Sequence, residues 1–317
     1  MASTTTTSVS TPGGLSYQNY MNKKVIKNFE PELYFYKMGK KQLYSGYKTI
    51  SWSRINRLTA TVAQATLSEG ITPTDQNLTE QTLTVNPVQY GLYVTLTDQL
   101  IEIVPIEIIS EGLEAVGNNL ARVIDQVIQS MLLTTGSNVI FGGTATSRPT
   151  LTATDVANWK TVAQAVSFLK VKAAKRYSED AYVGVFHTNV TYDLFTETTT
   201  GGFIDVTKYK MPENYFNGEI GKIAGCRIIE CPFVQTVAST IPYVYPSYIF
   251  GADAYGIGQL MDLQTYDTGF NASDTDPLAQ RRKLGAKTMF GSVVLRQESM
   301  IRLETASSLN GAMFFFS

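Results

Sequence analysis

His187 is the only histidine in the chain. It follows the apolar run AYVGVF, where a general base would need a nucleophile and an orienting acid beside it. No GxSxG, HExxH or CxxC accompanies it, so it reads as a structural or capping residue. Gly256-Ile257-Gly258 supplies only part of a dinucleotide-binding turn, without the third glycine or a following helix. Asp267, Asn271, Asp274 and Asp276 offer the oxygen ligands calcium prefers. Their spacing departs from the EF-hand loop, and such Asn/Asp/Ser-rich runs form plain turns. Cys226 and Cys231 lie five apart, an odd separation that puts them on opposite faces of a strand. They read as free, buried thiols. No catalytic residue, metal or cofactor is expected.

Charge placement carries more information. Residues 58–121 hold eight acidic residues and no Lys or Arg, a block of −8, while 1–57 is +7, 281–317 is +4 and 122–280 is −4. The net charge of −1 therefore hides large segregated blocks. Complementary patches of this kind set register between surfaces and suppress wrong pairings, which points to self-assembly. The expected inter-subunit contacts are Glu69, Asp75 and Glu80 on the acidic side, and Lys23, Lys24, Lys27, Arg281, Arg282 and Lys283 on the basic side. Strong binding of free duplex DNA is disfavoured, because that affinity comes from net phosphate neutralisation.

The elements that must position these residues follow from periodicity. At 317 residues the chain is long enough for two domains, or for one with excursions. Only 17% of residues are charged, and there are 18 Tyr and 15 Phe, a balance that suits a surface covered by neighbours. Residues 1–14 are Ser/Thr-rich and expected to be disordered; they lack the basic and apolar regions of a signal peptide. Leu15–Ser53 reads as an arm with a short helix near Pro31–Met38. Val88, Tyr90, Leu92, Val94 and Leu96 alternate with outward-facing positions, and with TATVAQATL they are expected to form a long hairpin. Ile109, Leu113, Val116, Leu120, Val123, Val127 and Met131 mark a helix of about 40 Å, ending before Gly136. A second helix is expected from Thr154 or Asp155 to about Arg176, its Lys170, Lys172, Lys175 and Arg176 complementing the C-terminal end. A strand (181–186), a short helix (189–196) and mixed strands to Phe250 follow, and Lys287–Thr305 is β-like again. A long helix so far in sequence from its closing β-segment implies a discontinuous domain with another inserted. The charge-free window 231–252 is interrupted by Pro232, Pro242 and Pro246, so it is not a membrane span, and a soluble protein is expected.

Several local words accompany this order of parts: SWSRINRLT (51–59), TLSEGITP (66–73), FHTNVTYDLF (186–195), NGEIGKIAGCRIIECP (217–232), IFGADAYGIG (249–258) and DPLAQRRKLGAKTMFGSVVLRQESMIRLETA (276–306). Over roughly residues 30–306 the chain resembles the major capsid proteins of tailed bacteriophages, with the α+β Hong Kong 97-type fold, and more specifically their coliphage N-four-like branch. The resemblance implies an N-terminal arm (1–57), an E-loop hairpin (58–100), a P-domain (101–140 and 276–317) and an inserted A-domain (141–275). It implies hexamers and pentamers forming an icosahedral, virion-borne shell around double-stranded DNA, assembled in the host cytoplasm. Scaffolding, portal and decoration proteins would be partners. The ribbon would lie over a neighbouring subunit. Some relatives weld the shell through a ribbon lysine, but no Lys lies between Lys48 and Lys160 here, so a non-covalent shell is expected. The chain starts directly with the arm, so a separately encoded scaffolding protein is expected. The alternatives are an encapsulin-like compartment shell or, less well supported, a hydrolase using His187.

Overall fold

A computed structural model describes residues 33–46, 48–56, 58, 61–67, 69–70, 75–103, 108–178, 181–197, 219–239, 243–272 and 276–309. A 28-residue helix, Ile108–Thr135, lies against a four-stranded sheet. That sheet has the order β1 (Lys40–Leu43), β10 (Tyr255–Asp267), β11 (Arg281–Val294) and β4 (Val88–Thr97). Between them lies the first core. Leu113, Leu120, Ile124, Ile128 and Leu132 from the helix meet Ile257, Leu284, Ala286 and Phe290 from the strands. The buried positions advance by fours beyond Leu120, so Val123, Val127 and Met131 sit at the margin of the stripe rather than in its centre.

The second sheet runs β5 (Val139–Phe141), β12 (Met300–Thr305), β9 (Tyr245–Phe250), β6 (Tyr182–Phe186), β8 (Cys226–Glu230) and β7 (Glu219–Ile223). Alternation gives it two apolar faces. Tyr248, Phe250 and Met300 join the first core, whereas Ile249, Ile301 and Leu303 join a second one with Val162, Val166 and Leu169 of the helix Trp159–Val171 and Val190 and Leu194 of the helix Thr188–Thr196. Strand β12 thus fastens the two cores together.

Two expectations need correction. Val88–Thr97 is the expected strand, with Tyr90, Leu92, Val94 and Leu96 turned inward, but its partner is β11, in register Leu92↔Ala286. The hairpin ribbon instead pairs β2 (Ile50–Ile55) with β3 (Glu80–Val85). Within TATVAQATL, Thr61 and Gln64 form a reciprocal capping box that starts a helical turn at Val62–Ala65, so local capping outweighs β propensity. The second helix is shorter than expected at both ends. Asn158 caps it through Thr161, and Asp155 is taken up by the Thr152 turn. Lys287–Thr305 is β-rich as expected, and its two strands, β11 and β12, belong to different sheets.

The arm is tied to the long helix by a buried charge. Asp125 accepts from the backbone N–H groups of Tyr34 (2.6 Å), Phe35 (3.1 Å) and Tyr36 (3.0 Å), which open the helical turn Phe35–Met38. Burial pushes its carboxyl up to about 6, with the three N–H donors pulling the other way. Phe35 is fully buried edge-on to Tyr248 and Phe250. Residues 1–32, including the stretch expected to be disordered, lie outside the described residues.

Candidate assembly interface

Among its described residues, the ribbon is packed at one end and exposed toward the other. On β2, Ile50 and Trp52 are buried while Ser51, Ser53 and Ile55 face out. Gly256 and Gly258 on β10 make room for this attachment. A Cβ on Gly258 would lie 2.6 Å from Ile50 and 2.9 Å from Trp52, and one on Gly256 would lie 3.2 Å from Trp52. The Gly-Ile-Gly sequence therefore serves strand packing, not nucleotide binding.

Beyond the attachment, Ile55, Leu58, Val62, Leu67 and Leu78 are all at least half exposed, Val62 at 85%. A two-stranded ribbon is marginal in water without a covering surface, and exposed apolar groups grouped in this way mark an interaction site. Glu69, Asp75 and Glu80 are exposed on the same excursion.

The basic candidates divide. Lys23, Lys24 and Lys27 lie outside the described residues. Arg282 does not present a free charge: its guanidinium grips Asp267 through Nε–Oδ1 (2.9 Å) and Nη2–Oδ2 (2.5 Å). Arg281 and Lys283 keep exposed side chains, Lys283 standing 5.9 Å from the Tyr93 ring. Sequence reasoning missed Arg54 and Arg296, and it assigned Lys172 and Lys175 to the helix end. These four line a cleft of about 200 Å³, together with Glu298. The signal was present in the Lys170–Arg176 run, but its two isolated partners are over a hundred residues away.

The groups weighed for catalysis have structural uses. His187 caps the helix Thr188–Thr196, its Nδ1 accepting from the Asn189 N–H at 3.0 Å, and burial lowers it to about 4. It is therefore a neutral ring with one nitrogen already engaged. The nearby acid Asp193 accepts from the Ser308 backbone and hydroxyl. Cys226 and Cys231 are free and buried, and burial pushes the Cys226 thiol up. In the candidate calcium cluster, Asp267 holds Arg282, and Asp276 accepts from the N–H groups of Gln280 and Arg281. Asp274 lies outside the described residues. Among the described residues no helix is long and apolar enough to cross a membrane.

A sequence model of the phage capsid protein family matches residues 80–302, more than half of the chain. The chain belongs to the phage capsid protein family. No curated protein matches its sequence. Among solved structures it is similar to the capsid of the cyanophage P-SCSP1u, at 19% identity and TM-score 0.63, covering 87% of this chain and 89% of that one. It is also similar to the capsid of Ralstonia phage GP4, at 14% identity and TM-score 0.66, with 87% and 92% covered. A virus-like particle from Pyrococcus furiosus shares the fold at 9% identity and TM-score 0.55, with 90% and 99% covered. The mixed α+β architecture of this family member is thus that of phage capsid structures.

Proposed function

We propose that the chain is the major capsid protein of a tailed bacteriophage, a non-enzymatic subunit that assembles through hexamers and pentamers into an icosahedral head around double-stranded DNA. The observation that carries the reading is the family match across residues 80–302, joined to a ribbon whose far end is apolar, acidic and uncovered. In this reading the ribbon β2–β3 and its excursion form the E-loop, starting near Ile50 rather than at residue 58. The long helix with the four-stranded sheet forms the P-domain, and the six-stranded sheet with its helices forms the A-domain. The N-terminal arm would reach a neighbouring subunit. Scaffolding, portal and decoration proteins would be partners, and the shell would assemble in the host cytoplasm.

With no Lys between Lys48 and Lys160, the ribbon lacks the nucleophile for an isopeptide weld, so the shell is held without covalent bonds. Negative-stain microscopy of the purified protein is expected to show closed particles. A monodisperse monomer at high concentration, with the ribbon protected from proteolysis, would overturn the reading. The virus-like particle from Pyrococcus furiosus has the same fold, so an encapsulin-like shell is the second reading. Packaged DNA, rather than enzyme cargo, separates the two.

A further inference from the structure

We propose that the basic cleft between the ribbon and the end of the helix Trp159–Val171 is a carboxylate-binding site, which receives acidic side chains from the ribbon of a second copy of this chain. The proposal deepens the assembly reading above and rests on it. Arg54, Lys172, Lys175 and Arg296 stand around about 200 Å³ of open space, against the single carboxylate of Glu298.

The cleft is held in shape by its own backbone and side chains. Arg54 is fixed by Gln81 Oε1, which accepts from Nε (3.0 Å) and Nη2 (2.7 Å), and by the Leu295 carbonyl, which accepts from Nη1 (2.8 Å). Glu298 lies 3.6 Å from the same guanidinium. The helix ends at Lys172, and Ala173 takes a left-handed conformation (φ 50°), turning the chain so that Lys172 and Lys175 line the same wall. The Lys175 carbonyl accepts from the Ala252 N–H at 2.8 Å, which fixes that turn. Among the described residues, Lys172, Lys175 and Arg296 have no carboxylate within ion-pair distance.

The same chain carries the complement. Glu69, Asp75 and Glu80 are exposed in a stretch of sixty-four residues without one cation, and among the described residues none of the three makes an ion pair. Glu80 pairs in register with Ile55, which lines the cleft, yet it does not neutralise the cleft within its own chain. A polyphosphate strand fits less well. Duplex affinity needs many phosphates neutralised at once, and Glu298 places a negative charge in the wall itself.

The test is a charge swap in the full-length protein. One variant carries Lys172→Glu, Lys175→Glu and Arg296→Glu; a second carries Glu69→Lys, Asp75→Lys and Glu80→Lys; a third carries all six. Every substituted side chain is exposed, and circular dichroism verifies that each variant is folded; Lys172→Gln with Lys175→Gln serves as a milder cleft variant. Particle yield by sedimentation is expected to fall about tenfold or more in the first two and to recover in the third, because like charges placed face to face are strongly disfavoured. Normal assembly of the cleft variants, or no recovery in the sixfold variant, overturns the proposal. So does a cleft variant that forms shells but loses DNA, since that assigns the site to phosphate. If the unaltered chain forms no particles, the assembly reading itself fails; if it assembles and the swaps change nothing, only this site falls.

Discussion

Replacing Glu304 with Ala is expected to unfasten the two cores. Glu304 is 1% exposed, and its carboxylate accepts from Arg148 Nε (2.8 Å) and Nη2 (2.5 Å) in a two-pronged grip. Arg302 Nε lies 2.8 Å from the same Oε1, close enough for an ion pair but outside hydrogen-bond geometry. The other end of Arg302 donates to the carbonyls of Leu133 (2.6 Å) and Gly136 (3.3 Å), at the C-terminal end of the long helix. One carboxylate thus joins strand β12, the turn at Arg148 and the end of the long helix. Its removal leaves the 7%-exposed Arg302 without a counter-charge.

Breaking a buried pair from one side costs about 3–5 kcal/mol. The partial exposure of Arg148, 31% for its side chain, places the expected loss near the lower bound, about 3 kcal/mol. Urea unfolding of the unassembled subunit measures it, as a lower midpoint at unchanged slope. The triple replacement Arg148→Met, Arg302→Met, Glu304→Leu removes charge and partners together. It is expected to be far less damaging than Glu304→Ala alone, because a buried ion network replaced whole by apolar groups is often close to neutral. A loss below about 1 kcal/mol in Glu304→Ala would refute the reasoning, since it would place the group in effective contact with water.

Three further outcomes are expected. Asp125 has a raised folded-state value, so its ionised form is disfavoured in the fold and its contribution to stability grows as pH falls through about 6. Relative to Asp125→Asn, the wild type is expected to gain about 1 kcal/mol between pH 7 and 5; a loss would mean that the three N–H donors dominate. His187 works in the opposite direction in the same window, because burial lowers it to about 4 and acid must charge it, so His187→Asn is expected to gain on the wild type over that range while keeping a capping side chain. Gly258→Val should displace Ile50 and Trp52 at a cost of about 1–3 kcal/mol, lowering particle yield while the far-ultraviolet spectrum of the body is kept; unchanged yield would show that the ribbon attachment tolerates the shift.

The long helix was legible to the residue at its C-terminal side because its apolar period is strong and Gly136 follows it. The short helix Thr188–Thr196 and strand Tyr182–Phe186 were legible for the same local reasons. Pairing was not. Strand Val88–Thr97 alternates cleanly, but alternation says nothing of its partner, and β11 lies nearly two hundred residues away. ISWSRI was hidden because it carries two serines and an arginine, and only the pairing with Glu80–Val85 and the seat on Gly256 and Gly258 make it a strand. The candidate contact residues were read by charge alone. Charge alone does not show that Arg282 is already paired with Asp267, a residue that looked like a metal ligand. The cleft was invisible, since four cations from three elements meet only after folding.

The charged groups of this chain fall into two populations with opposite consequences. Asp125, Glu304 and Arg302 are buried and held by groups distant in sequence, so they fix how arm, long helix and second sheet sit on one another. The acids of the ribbon and three cations of the cleft, Lys172, Lys175 and Arg296, are exposed, and among the described residues none of them makes an ion pair. Surface pairs of this kind contribute little to a subunit's own stability and are screened by salt, but they favour the correct neighbour and penalise the wrong one. In the proposed assembly the exposed apolar residues of the ribbon, Val62, Leu67 and Leu78, would supply the burial that charge alone does not. In the proposed assembly, rigid body and exposed ribbon are complementary parts: the first fixes the geometry, and the second is the surface that another copy would cover.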